Sequence, residues 1–391
     1  MALGSVPTTT APKRAVAGND AATRRELALL PGVPRKLLLI PLVALYIVVP
    51  MIASDYWATI LALAGLTAFG AMGLNLLSGY TGQPSLGQAF FIGLGAFTAG
   101  YLGRATNADP AGLGQPFLVY FLAAGVIGAI IGAIVGLPAL RLRGNYLAVV
   151  TLGLVFVGIW LFAQIDTLTG VNLTGGSRGA PMPQTAQLFG IDFTSIGGLG
   201  RNQSLLYLFW GLVAVLTVFI ANVVRRRPGR ALQAVRDRDV AAEVAGVSNV
   251  RYKIGAFVVS SAIATMGGVL FGIWATYVTP DQTNLGILLS IQYLAVVVIG
   301  GIGTVYGPIL GALIVIGLEP VLKYFAKYVP GVTDTPNAGG IFTGTLAQII
   351  YGVLIVVFLI LEPRGLVGIG RRVAARLRRI RSTPAPGSAS R

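Results

Sequence analysis

"GYTGQPSLGQAFFIGLGAF" (residues 79–97) interrupts a run from Tyr56 to Gly103 that carries no charge. An apolar run of that length belongs in lipid, where one helix needs roughly 20 residues to cross. Yet Tyr80-Thr81-Gly82-Gln83-Pro84 is a turn signal. Pro84 removes a backbone donor, and Gly79, Gly82 and Gly87 loosen the chain. Asn75, Gln83, Ser85 and Gln88 offer hydrogen bonds. Backbone left unpaired in hydrocarbon costs several kcal/mol per group, so a broken helix survives only inside protein or beside a wet cavity. Two readings stay open at this point. One is a discontinuous helix on a substrate path, lined by Asn75, Gly82, Gln83, Ser85 and Gln88. The other is a short cytoplasmic loop followed by a glycine-rich packing helix.

The rest of the chain agrees with a lipid setting. Of its 391 residues, 55% are hydrophobic and 11% charged, with mean hydropathy +0.78. Soluble domains carry about a quarter charged residues. An all-α, polytopic transmembrane bundle follows. The absence of Cys and His excludes disulfides, thiolate or histidine metal sites, and His or Cys catalysis. No Lys follows a Gly, so the chain has no GK[ST] phosphate loop, and any ATP used must be hydrolysed by another chain. The sequence predicts no enzyme, no metal and no cofactor bound by this chain. A net charge of +16 fits basic cytoplasmic loops rather than nucleic acid.

Uncharged blocks run 37–54, 56–103, 110–140, 144–165, 202–224, 254–280, 282–318 and 335–361. Blocks 56–103 and 282–318 are long enough for two passes each, hinged at 80–85 and near Gly300-Gly301-Ile302-Gly303. The count is about ten passes, or eight with two re-entrant segments, and either leaves both termini cytoplasmic. On that topology the outer segments hold only Arg104, Arg178, Arg201, Lys323 and Lys327, and the inner ones hold the other 24 of the 29 Lys and Arg. The expected organisation is a disordered cytoplasmic tail (1–35), a transmembrane domain (36–370) and a basic cytoplasmic tail (371–391). The N-terminal tail lacks the apolar core and cleavage site of a signal peptide. No acidic residue sits at mid-span; Glu319 lies near an outer end. That argues against proton coupling, which uses deep carboxylates.

Glycines at 128, 132 and 136, and at 303, 307 and 311, recur every fourth residue and give smooth helix faces for close packing in lipid. The inner loop 225–253, "RRRPGRALQAVRDRDVAAEVAGVSNVRYK", predicts an amphipathic helix from Arg230 to Ala245, ended by Gly246. Such a helix can lie on lipid, pack on the bundle, or dock in a groove of another protein.

Six blocks carry a resemblance: "GLNLLSGYTGQPSLGQAFFIGLGAFTAGYL" (73–102), "LRLRGNYLAVVTLGL" (140–154), "TGGSRGAPMP" (174–183), "GRALQAVRDRDVAAEVAGVSNVRYKIGAFVVSSAIATMGGVLFG" (229–272), "VVIGGIGTVYGPILGA" (297–312) and "LEPRGLVG" (361–368). In this order they resemble the permease subunit of branched-chain amino acid ABC importers, the longer of its two permease types. The resemblance covers about residues 36–370. It implies half of a membrane pore in a bacterial inner membrane. The implied partners are cytoplasmic ATPases that carry ATP and Mg, a second permease (identical or not) and an extracytoplasmic binding protein. Ala241, Ala242 and Gly246 match the family's Ala-Ala-x-x-x-Gly docking pattern. Val240 departs from it, as does the missing Ile-x-Leu-Pro at 256–259. The docking segment then includes Arg230, Arg236, Asp237, Asp239, Ala241, Ala242, Glu243 and Gly246. The outer stretch 165–203 is the expected contact for the binding protein. Branched-chain amino acids are the implied substrate, with urea or short amides as the alternative. An ion-coupled secondary carrier is the alternative of a different class.

Overall fold

The computed structural model describes residues 35–107, 111–139, 145–188, 190–281 and 285–326, with short stretches between 332 and 368. Apart from Arg35, the expected tails lie outside the described residues, as does most of the expected pass at 335–361. By internal contact the chain falls into two units, 1–49 and 50–391. Most of helix α1 (Arg35–Ile52) lies in the first unit; it is an apolar helix of 18 residues.

In the second unit the chain runs α2 (Asp55–Leu74), a π-turn (Asn75–Tyr80), α3 (Gln88–Gly103), α4 (Phe117–Ala139) and α5 (Asn145–Thr169). It continues through α6 (Arg201–Arg225), α7 (Arg227–Asp237), α8 (Asp239–Val244), α9 (Asn249–Ala275), α10 (Ile287–Gly300) and α11 (Gly307–Ala326). The connection from α5 to α6 starts five residues later than the expected 165, because α5 continues to Thr169. In it, β1 (Ala180–Pro181) pairs antiparallel with β4 (Tyr277–Val278), and β2 (Gln187–Leu188) with β3 (Ile191–Asp192).

Among the described residues five helices are long and apolar enough to cross a membrane. The α2 span with its π-turn is 83% buried and α9 is 67% buried, against 28% for α4 and α5. The core therefore sits around α2 and α9, and α4 and α5 form the rim. The rim's outer face is apolar: Leu118, Leu122, Val126, Ile130 and Ile134 are exposed along α4. The other face of α4 is its glycine stripe. A Cβ on Gly132 would stand 2.5 Å from Ser261 Cβ, and one on Gly136 would stand 3.3 Å from Phe257 Cβ. The glycines let α4 close on α9 to backbone distance, which supplies the dispersion contact that holds helices together in lipid. Gly307 and Gly311 similarly press α11 onto Gly300 and Val296 of α10. Gly303 lies before α11, in the turn, with φ +73°.

Candidate functional site: two helix breaks and an amphipathic helix

The first break is deeper than a loop. Gln88, the first residue of α3, donates from Nε2 to Gly70 O at 3.0 Å. Gly70 lies ten residues before Tyr80, about 15 Å of helical rise. Residues 81–87 therefore climb back along α2 as irregular chain, and α3 begins partway along it. At 16 residues α3 rises about 24 Å, and α10, at 14, about 21 Å. Each is short of the roughly 30 Å hydrocarbon core.

The two half-helices meet at one level and point apart. Ala89 N, in the first turn of α3, donates to Ser290 Oγ, in the first turn of α10, at 3.0 Å. Tyr293 of α10 packs on Gly70, while the chain beyond α10 reaches Gly79 through Gly303, so α10 runs with α2. Gly268 and Gly272 of α9 pack on Ile92 and Ala96 of α3, and Gly267 packs on Gly70. Thus α9 runs with α3 and against α2.

The polar groups of the break satisfy its backbone. Leu86 N donates to Thr151 Oγ1 of α5 at 2.9 Å, and Gly87 N to Ser85 Oγ at 3.3 Å. Gln83 N donates to Leu77 O at 3.3 Å, and Ser78 Oγ to Gln83 O at 3.1 Å. Asn75 joins this break to the second one: its Nδ2 donates to Thr304 O at 2.8 Å, and its Oδ1 accepts from Gly303 N at 2.9 Å. Thr304 Oγ1 donates to Gly301 O at 2.8 Å and accepts from Gly307 N at 3.1 Å, capping α11. Of the residues read as path-lining, Asn75, Ser85 and Gln88 thus bond to this chain's own backbone. Gln83 differs: its Nε2 is buried and has no hydrogen-bond partner among the described residues. Gly82 sits at φ +67°, the left-handed region that a side chain would strain.

Residues 227–244 form two helices where the sequence predicts one from Arg230 to Ala245. Arg238 is extended (φ −155°, ψ 98°) and separates α7 from α8. Ala231, Leu232 and Val235 are buried under α7 and Ala242 under α8, while Val240 and Val244 are 67% and 87% exposed. The buried and exposed sets lie on opposite faces at helical spacing, so α8 keeps the facing of α7 across the break. Gly246 closes α8 at φ +84°. Among the expected docking residues, Arg230, Asp237, Ala241, Glu243 and Gly246 are exposed. Asp239 pairs with Lys253 at 3.7 Å, and Ala242 faces the bundle. Arg236 is exposed as well, but its Nη1 donates to Gly79 O, at the end of the π-turn.

At the opposite end, Asp166 ties the connection after α5. Its Oδ1 accepts from Leu173 N (2.8 Å) and Thr174 N (2.9 Å), and its Oδ2 from Gly176 N (2.7 Å). Asp192 does the same for the β2–β3 hairpin. Burial there pushes its carboxyl up, but hydrogen bonds from Thr194 Oγ1, Thr194 N and Ala186 N outweigh it, and the net shift is downward. Sequence reasoning missed Thr151, Ser290 and Thr304. Each is a lone hydroxyl in an apolar stretch, and its partner lies far away in the chain.

Comparison with known proteins gives this arrangement a context. Residues 56–359 match the family described as "Branched-chain amino acid transport system / permease component". The chain is 30% identical over 356 residues to the high-affinity branched-chain amino acid transport system permease protein LivM of Escherichia coli, covering 87% of this chain and 76% of that protein. It is 25% identical over 343 residues to the probable branched-chain amino acid transport permease protein LivM of Methanocaldococcus jannaschii, covering 80% and 93%. It is also 25% identical over 310 residues to LivH of Salmonella typhimurium, covering 76% and 90%. No solved structure matches this chain.

Proposed function

This chain belongs to the branched-chain amino acid permease family, and from that premise we infer that it is the membrane-spanning permease subunit of an ATP-driven ABC importer for branched-chain amino acids. The observation that carries the reading is the family match across 56–359, which runs through both helix breaks and the cytoplasmic helices. The chain works as a gate, and partner ATPases supply the energy. A second permease completes the path, and a binding protein delivers the solute. The setting is the inner membrane of a bacterium, with about ten passes and both termini cytoplasmic. The charge bias supports this orientation, since it puts the Tyr80 end of α2 and helices α7 and α8 on the cytoplasmic side.

Two features support a division of labour. Val240 and Val244 form an exposed apolar patch on α8, ringed by Asp237, Ala241 and Glu243. That is the chemistry of a short helix docking in another protein's groove, and we assign the ATPase contact to it. The connection between α5 and α6, made compact by Asp166 and the β1–β4 pair, supports a contact for the binding protein. On the path, Gln83 has a donor to spare, whereas Asn75 and Gln88 are committed to holding the break.

The test is reconstitution. Proteoliposomes holding this chain, its partner permease and the ATPases should take up leucine when ATP and the binding protein are supplied. Val240→Asp together with Val244→Asp should strip the ATPases from the purified complex. Uphill uptake by the permeases without ATPases, driven by an ion gradient, would refute the reading.

A further inference from the structure

Arg236 lies on α7, in the segment assigned to the ATPase, yet its side chain reaches the bundle. Its Nη1 donates to Gly79 O at the end of the π-turn. Its stem crosses Gly82, where an added Cβ would stand 3.1 Å from Arg236 Cγ. The same Nη1 borders the second break: a Cβ on Gly303 would stand 2.7 Å from it and 3.1 Å from Gly79 O. A Cβ on Gly79 would in turn stand 2.6 Å from Gly303 N. Three glycines thus surround one guanidinium, and a side chain at any of them would intrude on the contact. Asn75 closes the group by bonding Gly303 N and Thr304 O.

We propose that Arg236 is a positioning residue that pins cytoplasmic helix α7 to both helix breaks, so that nucleotide-driven movement of α7 is passed to the Asn75–Pro84 and Gly300–Thr304 segments. The proposal rests on the reading of the chain as an ABC permease. Its chemistry is local. The last carbonyls of a helix carry partial negative charge, and a guanidinium meets them with a rigid, multi-donor plane. α7 is anchored by Ala231, Leu232 and Val235, so its displacement carries Arg236 with it. The helix it pulls on ends in a π-turn, a one-residue register excess that recurs at functional sites in helices. Arg236 holds the π-turn at Gly79 O, and Asn75 at the start of that same turn bonds Gly303 N and Thr304 O, so the second break is loaded through the turn.

The test uses the full complex in proteoliposomes with its binding protein, comparing the native chain with Arg236→Gln and Arg236→Lys. Both variants should retain the ATPases and hydrolyse ATP. Uptake should fall about tenfold or more in Arg236→Gln, the size expected for loss of one charge-assisted hydrogen bond, so that more ATP is hydrolysed per solute. Arg236→Lys, with one donor centre and no fork, should fall between. Unchanged uptake and stoichiometry in Arg236→Gln would overturn the proposal, and so would loss of the ATPases from that variant. If the native complex itself holds no ATPase, the permease reading fails instead. If Arg236→Gln does not reach the membrane folded, hydrogen exchange on the native complex decides. On nucleotide binding, peptides covering 75–83, 230–238 and 299–306 should change protection together; a change confined to 230–246 overturns the pin.

Discussion

Asn75→Ala removes the side chain that joins the two breaks. Asn75 is 2% exposed and bonds Gly303 N at 2.9 Å and Thr304 O at 2.8 Å. A satisfied neutral hydrogen bond contributes only about 1 kcal/mol net, but each buried partner left orphaned costs about 1–3 kcal/mol. Two orphans then cost about 2–6 kcal/mol, a large share of a stability on the order of 5–15 kcal/mol. Hydrogen exchange followed by mass spectrometry reads the Gly303 half directly. Losing about 1–3 kcal/mol at that amide should speed exchange of the 299–306 peptide by about fivefold to a hundredfold. The thermal midpoint of the purified chain should fall as well. Asn75→Asp separates the two bonds. Ionised, it still accepts from Gly303 N but sets a lone pair against Thr304 O; protonated, it donates to that carbonyl. Its exchange should therefore recover on acidification, whereas that of Asn75→Ala should not. Native exchange at 299–306 and an unshifted midpoint in Asn75→Ala would refute the clamp.

Gly132→Ala should destabilise the purified chain by about 1–3 kcal/mol, because its Cβ would stand 2.5 Å from Ser261 Cβ. Gly153→Ala on α5, with nothing within 4 Å, should be neutral or stabilising by up to about 1 kcal/mol; equal shifts of the thermal midpoint would remove the close-packing argument. Asp192 has a folded-state pKa below its ordinary value, so it stabilises the β2–β3 hairpin above the ordinary carboxylate range. That contribution is lost as pH falls through the folded value. Protease cleavage within 187–194 should therefore be slow at neutral pH and faster in acid, with Asp192→Asn flattening the change; native cleavage that stays slow in acid contradicts this.

Much of this arrangement could be read from residue spacing. The uncharged blocks located the helices, since a hydrocarbon core sets both length and polarity. Tyr80-Thr81-Gly82-Gln83-Pro84 marked the first break, because Pro and Gly act locally. The stripe Gly128, Gly132 and Gly136 named a packing face, but its partner, α9, is set by tertiary fold. What the sequence hid was partnership across distance. Thr151 and Ser290 read as unremarkable hydroxyls, and only the fold brings them to Leu86 and Ala89. Arg236 read as one of the docking residues, and its bond to Gly79 O was hidden because helical periodicity says nothing about where a long side chain ends. The split at Arg238 was hidden for a related reason: Ala242 continues the face of Ala231 and Val235 at helical spacing, so the pattern runs through the break without marking it.

The chemistry chosen for the breaks bears on how they can move. Apart from Arg236 at the end of the π-turn, the side chains that cap α3, join the breaks and cap α11 are neutral: Asn75, Ser78, Ser85, Gln88, Thr151, Ser290 and Thr304. A charge at that depth would need a partner of opposite sign, and separating the two costs several kcal/mol. A neutral hydroxyl or amide exchanges one backbone partner for another at about 1 kcal/mol net. Breaks built this way hold their backbone satisfied at rest and still change partners at small cost. The single charge is carried by α7, and its bond to Gly79 O there holds the π-turn without burying an ion among the half-helices.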